Sequence, residues 1–252
     1  MSASKKKKRR DGGPIVVMEK AGRSFKKRTV LSGLSLKVFG GEVVGVVGPN
    51  GGGKTTLLLM MAGLLRSTAG KVLVCGIEAH SLSLTSAGRV GLVTARPGLY
   101  PLLTGRENLH HFGGLFGLSP HEVDENAAPL TQALELTTTG LDERVGRLST
   151  GMQQKLSLIR ALLLSPQLLL FDEPTANLDP VASSALYAEV RRRADDGLAC
   201  VLVTHDLFAA EAVCDRVLLV DGEVKRELRF TERRAPLEGP LHTAWQEAIG
   251  KR

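Results

Sequence analysis

The chain has 252 residues, a formal net charge of +7, and 43% hydrophobic and 23% charged residues, which is an ordinary balance for a globular protein. Its length allows one large domain or two small ones, and the sequence contains no apolar run long enough to cross a bilayer. The N-terminus begins with charged residues where a signal peptide needs an apolar stretch, so we expect the chain to stay in the cytoplasm.

Residues 5–10, "KKKKRR", carry six of the positive charges, and the remainder of the chain is close to neutral. The favoured interpretation is a solvated, disordered tail over residues 1–12. The alternative is attraction to an anionic membrane surface, where each basic residue contributes about 1 kcal/mol. Nucleic acid is a third possible partner, but the tail has no aromatic side chains on which bases would stack.

The three cysteines, Cys75, Cys200 and Cys214, stand singly in or beside apolar stretches, and no histidine lies near them at metal-binding spacing. We expect small core residues in a reducing compartment.

The first elements in chain order are strands. "PIVVMEKAGRSF" and "LSLKVFGGEVVGVVG" are rich in β-branched residues and broken by glycine, which predicts short strands that lead into a buried strand, Val43–Val47. "KTTLLLMMAGLL" predicts a buried helix, and "GKVLVCG" predicts a further strand between glycines.

Between that buried strand and that helix, "GPNGGGKT" fits the pattern G-x-x-x-x-G-K-[ST]. Glycines in this pattern let successive N–H groups face phosphate oxygens, Lys54 brings a cation to the outer phosphates, and Thr55 offers a hydroxyl to Mg²⁺. A chance glycine turn before a helix would not require Lys and Thr at these two positions.

Residues 97–147 change in character and predict a helical subdomain inserted into an α/β core. Thr104 and Glu107 have the spacing of a capping box, and "HEVDENAAPLTQALEL" is helical in pattern apart from Pro129. In "LSTGMQQKL", residues 148–156, Thr150 and Gln153 predict another capping box and a helix whose positive end suits a phosphate. The chain thus offers a second phosphate cradle.

The core resumes with "QLLLFDEP" and "ACVLVTHD", two continuous apolar runs that end in polar residues. Such runs are typical of a parallel sheet covered on both faces, with ligands outside the carboxyl ends of its strands. "RVLLVDGEV" predicts a hairpin about its Asp-Gly pair.

Two of these strand ends carry candidate chemistry. Asp172 is predicted to organise the metal, and Glu173 to act as the general base toward an attacking water. His205, at the end of the next strand, is placed to hold the γ-phosphate. The other histidines are interpreted as structural: His80, His110, His111, His121 and His242.

"LSTGMQQKL", "LLLFDEPTANLD" and "THD" together resemble the ATP-binding cassette (ABC) family over residues 15–230. The resemblance implies a P-loop NTPase (RecA-like) core with a mostly parallel sheet, an antiparallel β subdomain and a helical subdomain inserted at about residues 97–160. It implies a cassette over residues 13–230 and a short tail over residues 231–252. It also implies that two cassettes pack head to tail, so that the signature helix of one caps the ATP bound to the phosphate loop of the other.

By the same resemblance, Glu173 and His205 are catalytic and Thr55 and Asp172 hold Mg²⁺. The residues that contact ATP, either within one chain or across to the partner cassette, are Phe25, Gly48, Pro49, Asn50, Gly51, Gly52, Gly53, Lys54, Thr55, Thr56, Ser149, Thr150, Gly151, Met152 and Asp179. Phe25 is assigned to stacking on adenine, although a single aromatic residue in a β segment is more often part of the core.

The sequence departs from the family pattern in two places. Thr150 and Met152 replace the usual Gly and Gln of the signature. Ala95 stands where the family commonly has a glutamine that contacts Mg²⁺ and the attacking water, unless the equivalent is Thr94 or Arg96. Because Ala offers no polar group, the hypothesis is that hydrolysis is slower, or depends more on a partner, than in a cassette with the glutamine.

The resemblance therefore predicts an ATP-binding and hydrolysing subunit that powers a membrane transporter from the cytoplasmic face. Its partners would be a separate multi-spanning membrane subunit and a second, identical cassette, with no specific nucleic acid. "RPGLYPLLTGRENLHHFGGLFGL" is more similar to exporter cassettes than to importer ones. The alternatives are a soluble ABC ATPase acting on nucleic acid or ribosomes, and a small-molecule kinase.

Overall fold

The computed structural model describes residues 12–82, 88–136 and 138–230. Except for Gly12, the predicted tails at residues 1–12 and 231–252 lie outside this range, as does His242.

Ten strands form two sheets in the described part of the chain. A four-stranded antiparallel sheet has the order β2-β1-β4-β5, and a six-stranded sheet has the order β10-β9-β3-β8-β7-β6. The strands are β1 Val16–Phe25, β2 Arg28–Val38, β3 Val43–Val47, β4 Ala69–Val74, β5 Ile77–Glu78, β6 Val90–Thr94, β7 Leu168–Asp172, β8 Ala199–Val203, β9 Arg216–Asp221 and β10 Glu223–Arg229.

Seven helices lie among these strands in the described part of the chain. They are α1 Lys54–Met61, α2 Gly105–Leu115, α3 Pro120–Ala133, α4 Thr138–Asp142, α5 Thr150–Leu162, α6 Pro180–Asp195 and α7 Leu207–Val213. Helices α2 to α5 lie in sequence between β6 and β7, two strands that are hydrogen-bonded neighbours, so this helical segment is an insertion into the sheet. None of the helices in the described ranges combines the length and apolar character needed to cross a membrane.

The six-stranded sheet separates two hydrophobic cores. Successive side chains of a strand point to opposite faces, and in β3 Val43 joins the core beneath the inserted helices while Val44 joins the core shared with the antiparallel sheet. In the six-stranded sheet, the strands β9, β3, β8, β7 and β6 are parallel, and only β10, at the edge, runs antiparallel. The predicted parallel sheet and the β9–β10 hairpin about Asp221 and Gly222 are confirmed.

Helix α3 corrects the expectation that Pro129 interrupts the helical pattern. Pro129 lies inside the helix, which continues to Ala133. A proline at this position removes one hydrogen bond, to the carbonyl of Glu125. Both residues are exposed, so water can satisfy that carbonyl, and Leu130 and Ala127 still bury the apolar face. Burial of that face outweighs the local cost of the proline.

Two of the three cysteines are core residues, as predicted. Cys200 and Cys214 are buried, and burial raises the pKa of Cys200 to about 12, which keeps its thiol protonated. The prediction is wrong for Cys75, which is only half-buried and occupies the turn between β4 and β5 with a φ of 51°. From this turn it packs against the edge of the core instead of lying inside it.

Candidate nucleotide-binding and hydrolysis site

The candidate site lies at one edge of the six-stranded sheet. Strands β3, β8, β7 and β6 are parallel neighbours, so their carboxyl ends meet at that edge. The phosphate loop, residues 48–53, follows β3, while Asp172 ends β7 and Glu173 comes directly after it. Thr204 and His205 follow β8, and Ala95 follows β6. The sheet topology thus brings together four segments that are far apart in sequence.

Close backbone packing shapes the phosphate loop. A Cβ on Gly48 would lie 2.0 Å from the carbonyl oxygen of Val220, so any larger residue would displace strand β9. Gly53 has a φ of 98° and is the N-terminal cap of α1, where a Cβ would meet Leu31 at 2.4 Å. Both contacts press the loop against its neighbours. The Gly52 N–H donates to the Pro49 carbonyl within the loop, and the start of α1 beside it can attract an anion.

Lys54 is buried at the base of this loop. Its Nζ donates to the carbonyl oxygens of Gly48 and Pro49 at 2.9 and 3.0 Å, so the ammonium group is held within the curve of the loop. Burial lowers the pKa of Lys54, and Glu173 and Asp172 oppose that shift. A cation held among acceptors and nearby carboxylates can contribute its charge to a bound phosphate.

Thr55 and Asp172 fit a magnesium ion. The Thr55 hydroxyl is hydrogen-bonded to the Asp172 carboxylate, so two hard oxygen ligands from different elements already meet. Burial raises the pKa of Asp172 and the neighbouring Glu173 adds to the shift, whereas Thr55, Lys54 and His205 counteract it. A divalent cation would relieve the crowding of two carboxylates, and a hydroxyl with a carboxylate is a ligand set that Mg²⁺ accepts.

Glu173 and His205 form a pair. The His205 Nε2 and Glu173 Oε1 atoms are 2.8 Å apart, and both side chains are partly exposed. The Glu173 N–H donates to the Val203 carbonyl, which ties the turn after β7 to the end of β8. Glu173 itself has a φ of 51°, so the chain turns sharply here and separates the direction of its carboxylate from that of Asp172. The predicted juxtaposition of these strand ends is present.

Ala95 lies at the same edge. Its N–H donates to the Asp172 carbonyl at 3.0 Å, and the side-chain amide of Asn177 approaches its carbonyl at 3.5 Å. Arg96 is exposed, and the Thr94 hydroxyl donates to the Arg96 carbonyl. The residue beside the acidic pair therefore carries only a methyl group.

The signature segment, residues 148–156, begins a helix one residue earlier than predicted. Ser149, not Thr150, is the N-terminal cap of α5, and its hydroxyl accepts from the Met152 N–H. Thr150 is the first helical residue. Gln153 does not complete a capping box, because its amide donates instead to the carbonyls of Val145 and Leu148. The capping-box spacing gave the wrong cap because Ser and Thr both cap helices well and here are adjacent in sequence.

The N-terminus of α5 points to the surface of the described chain. Ser149 and Thr150 are exposed, Gly151 and Met152 are half-buried, and the contact nearest to a Cβ on Gly151 would be Ala182 of α6, at 4.0 Å. The predicted second cradle is therefore adjacent to α6, whereas the phosphate loop precedes α1.

Asp179 is exposed and caps α6, with its carboxylate accepting from the N–H groups of Val181 and Ala182 at 2.9 Å each. Ala182, which donates to Asp179, is also the residue nearest to Gly151 of the signature segment. These two segments share one surface.

Phe25 ends β1 in a hairpin that borders the phosphate loop. It pairs with Arg28, whose guanidinium would lie 3.8 Å from a Cβ on Gly51. Phe25 is 43% exposed, and the guanidinium of Arg23 lies over one face of its ring at 4.6 Å from the centroid. Its exposure makes it available for stacking, which a core position would not allow.

The other predicted site residues lie in the phosphate loop or in the first turn of α1. Asn50 and Thr55 are exposed, Pro49 and Thr56 are half-buried, and Gly52 is buried with its carbonyl accepting from the Gly222 N–H. Of the histidines interpreted as structural, His110 contacts Asp124 at 3.0 Å and His111 packs edge-on against Tyr100.

Sequence reasoning missed two residues that join these segments. The buried amide of Gln154 donates to the Thr94 carbonyl, which links α5 to the end of β6. The hydroxyl of Tyr187, on α6, is hydrogen-bonded to Thr175 and Thr204. No spacing rule identifies either of them, since both act across elements distant in sequence.

A model of the ABC transporter family matches residues 31–176. Nod factor export ATP-binding protein I of Burkholderia lata is 36% identical over 228 residues, which cover 90% of this chain and 71% of that protein. An uncharacterized ABC transporter ATP-binding protein of Bacillus subtilis is 34% identical over 219 residues, with coverage of 85% and 69%.

Among solved structures, a dimeric ATP-binding cassette in a post-hydrolysis state with ADP and Pi superimposes with a TM-score of 0.77 at 28% identity, covering 86% of this chain and 99% of that one. The predicted P-loop NTPase fold, with its antiparallel β subdomain and inserted helical subdomain, is confirmed. The chain therefore belongs to the ABC transporter family, as an ATP-binding subunit with an ATPase cassette.

Proposed function

We propose that this chain binds and hydrolyses ATP to power a membrane exporter, as two identical copies attached to a separate multi-spanning subunit at the cytoplasmic face of the membrane. The observation that carries the proposal is the meeting of Lys54, the Thr55–Asp172 pair and the Glu173–His205 pair at one sheet edge. The direction is supported by the relatives named for Nod factor export.

The phosphate loop would hold the β- and γ-phosphates of ATP through its N–H groups and Lys54. Thr55 and Asp172 would hold Mg²⁺, which when bound neutralises charge on these phosphates. Phe25 would stack on the adenine ring, supported from behind by Arg23.

Glu173 would act as the general base for hydrolysis. Its carboxylate accepts a proton from water as the water oxygen bonds to the γ-phosphorus, and the bond from that phosphorus to the bridging oxygen of ADP breaks. His205, whose Nε2 lies 2.8 Å from the Glu173 Oε1, would hold the γ-phosphate beside this base. ADP and inorganic phosphate are the products.

The signature segment and Asp179 would serve the ATP of the partner copy. Ser149, Thr150, Gly151 and Met152 present a helix N-terminus at the surface, and Asp179 lies on the same face. We infer a cassette over residues 13–230 with a helical subdomain at about residues 97–160. ATP at two shared sites would favour the closed pair, and hydrolysis would release it.

The test is to tag the protein in its native cell, solubilise the membranes in mild detergent and identify the proteins that copurify. The proposal predicts one multi-spanning protein in fixed proportion to the tagged subunit. Recovery from the soluble fraction alone, together with ribosomes or nucleic acid, would contradict it and support the soluble ATPase instead.

A further inference from the structure

A single phenol oxygen joins the two segments that carry Glu173 and His205. Tyr187 lies on α6 and is 7% exposed. Its hydroxyl is 2.9 Å from the Thr175 Oγ1 atom and is also hydrogen-bonded to Thr204. Thr175 lies two residues after Glu173, and Thr204 lies directly before His205.

The two threonines are themselves firmly held within their segments. Thr204 is 3% exposed, and its hydroxyl accepts from the Asp206 N–H at 3.0 Å. The Thr175 carbonyl accepts from the Leu178 N–H at 3.0 Å, in the segment that leads to Asp179. A shift of either hydroxyl would therefore move the backbone on which a neighbouring functional side chain is mounted.

The phenol can serve both contacts at once. A tyrosine hydroxyl carries one donor and also accepts, so it can donate to one threonine and accept from the other. Burial raises the pKa of Tyr187, so the donor proton is retained at neutral pH. The ring fills space that phenylalanine would fill equally, but phenylalanine cannot make either hydrogen bond.

We propose that Tyr187 is a positioning residue for ATP hydrolysis, whose hydroxyl fixes the distance between the segment of Glu173 and the segment of His205. The inference rests on the proposed roles of these two residues. Its basis is that Glu173 has a left-handed backbone and keeps its place only through the contacts around it. Tyr187 also links this pair to the segment of Asp179, which faces the partner copy.

The test compares Tyr187→Phe with Tyr100→Phe in the full-length protein. Both changes remove one phenolic oxygen, and these are the two tyrosines of the chain. Tyr100 is 48% exposed and outside the candidate site. We expect Tyr187→Phe to lower kcat for ATP by about 5- to 10-fold, with KM changed less than about 2-fold, because the phosphate loop is untouched. Tyr100→Phe should match the unmodified protein.

A double-mutant cycle separates positioning from general structural support. In a His205→Ala background, Tyr187→Phe should cause no further loss, because the distance that the hydroxyl fixes, between Glu173 and the His205 imidazole, no longer exists without the imidazole. A loss of equal size in both backgrounds, or an unchanged kcat in Tyr187→Phe alone, would overturn the inference.

An NMR measurement tests the same link without activity. The imidazole resonances of His205, assigned by their disappearance in His205→Ala, should shift in Tyr187→Phe and stay in place in Tyr100→Phe. Unmoved His205 resonances in Tyr187→Phe would overturn the inference. If His205→Ala alone left hydrolysis unchanged, the proposed role of His205 would fail instead, whatever the resonances show.

Discussion

At the residue scale, the backbone of Glu173 accounts for how two adjacent carboxylates could take the different tasks that we propose for them. Glu173 has a φ of 51°, a left-handed conformation that costs a residue with a side chain about 1–3 kcal/mol. The turn directs Asp172 to Thr55 and Glu173 to His205. The sequence predicted both acids and His205 as candidate site residues, but not the turn, since local patterns do not encode a strained φ that tertiary contacts impose.

We expect Glu173→Gln to bind ATP normally and to hydrolyse it at least about 100-fold more slowly, because the amide cannot accept the proton of water. The measurement is release of phosphate under saturating ATP, together with nucleotide affinity. Glu135→Gln is a matched control, because Glu135 is exposed and has the same φ of 51° but lies at the end of α3. Near-normal turnover in Glu173→Gln would remove Glu173 from the role of base.

The methyl group of Ala95 leads to a second expectation at this scale. Ala95→Gln would place an amide beside Asp172 and Glu173, and we expect it to raise the ATPase rate or to reduce its dependence on the membrane partner. Ala95→Met adds a side chain of similar length without the amide and should not reproduce the gain. If Ala95→Gln changed neither the rate nor its stimulation by the partner, the hypothesis would be wrong.

At the element scale, hydrophobic periodicity predicted whether a segment is a helix or a strand and where it lies in the chain. Capping residues predicted where some of the helices begin. Strand β3 and the capping box of Thr104 and Glu107 match the structure. The start of α5 was misplaced by one residue, because adjacent Ser149 and Thr150 compete for the same capping role. Pro129 was expected to interrupt a helix but lies inside α3. Burial of Leu130 and its neighbours outweighs the cost of the missing backbone hydrogen bond.

We expect Pro129→Ala to stabilise the protein by roughly 1–3 kcal/mol, because it restores the hydrogen bond to Glu125 in the interior of α3. In a domain of this size each kcal/mol raises Tm by about 2–4 °C in calorimetry. Pro120→Ala is the control, since Pro120 is at the first position of the same helix, where proline is favourable. An equal or lower Tm for Pro129→Ala would show that the fold depends on the proline.

At the scale of the whole molecule, strand order decides which residues meet. The apolar runs alone predicted a parallel sheet, but not that β3 lies between β8 and β9 or that β6 lies beside β7. Those pairings place the phosphate loop, the acids and His205 at one edge. The contacts across elements made by Gln154 and Tyr187 follow from the same packing and were beyond any pattern in the sequence.

We propose that the exposed helix start at Ser149 serves the nucleotide of a second copy. Within one chain it adjoins α6, yet it retains the N–H groups and dipole that suit a phosphate. A head-to-tail pair would bring it to the γ-phosphate held by the other copy, and ATP would act as part of the interface.

Sedimentation velocity of Glu173→Gln, with and without ATP and Mg²⁺, tests this pairing most directly, because the variant retains the nucleotide that would hold two copies together. The account predicts a monomer of 27.0 kDa without nucleotide and a species of twice that mass with ATP and Mg²⁺. A monomer under both conditions, at saturating ATP, would contradict it.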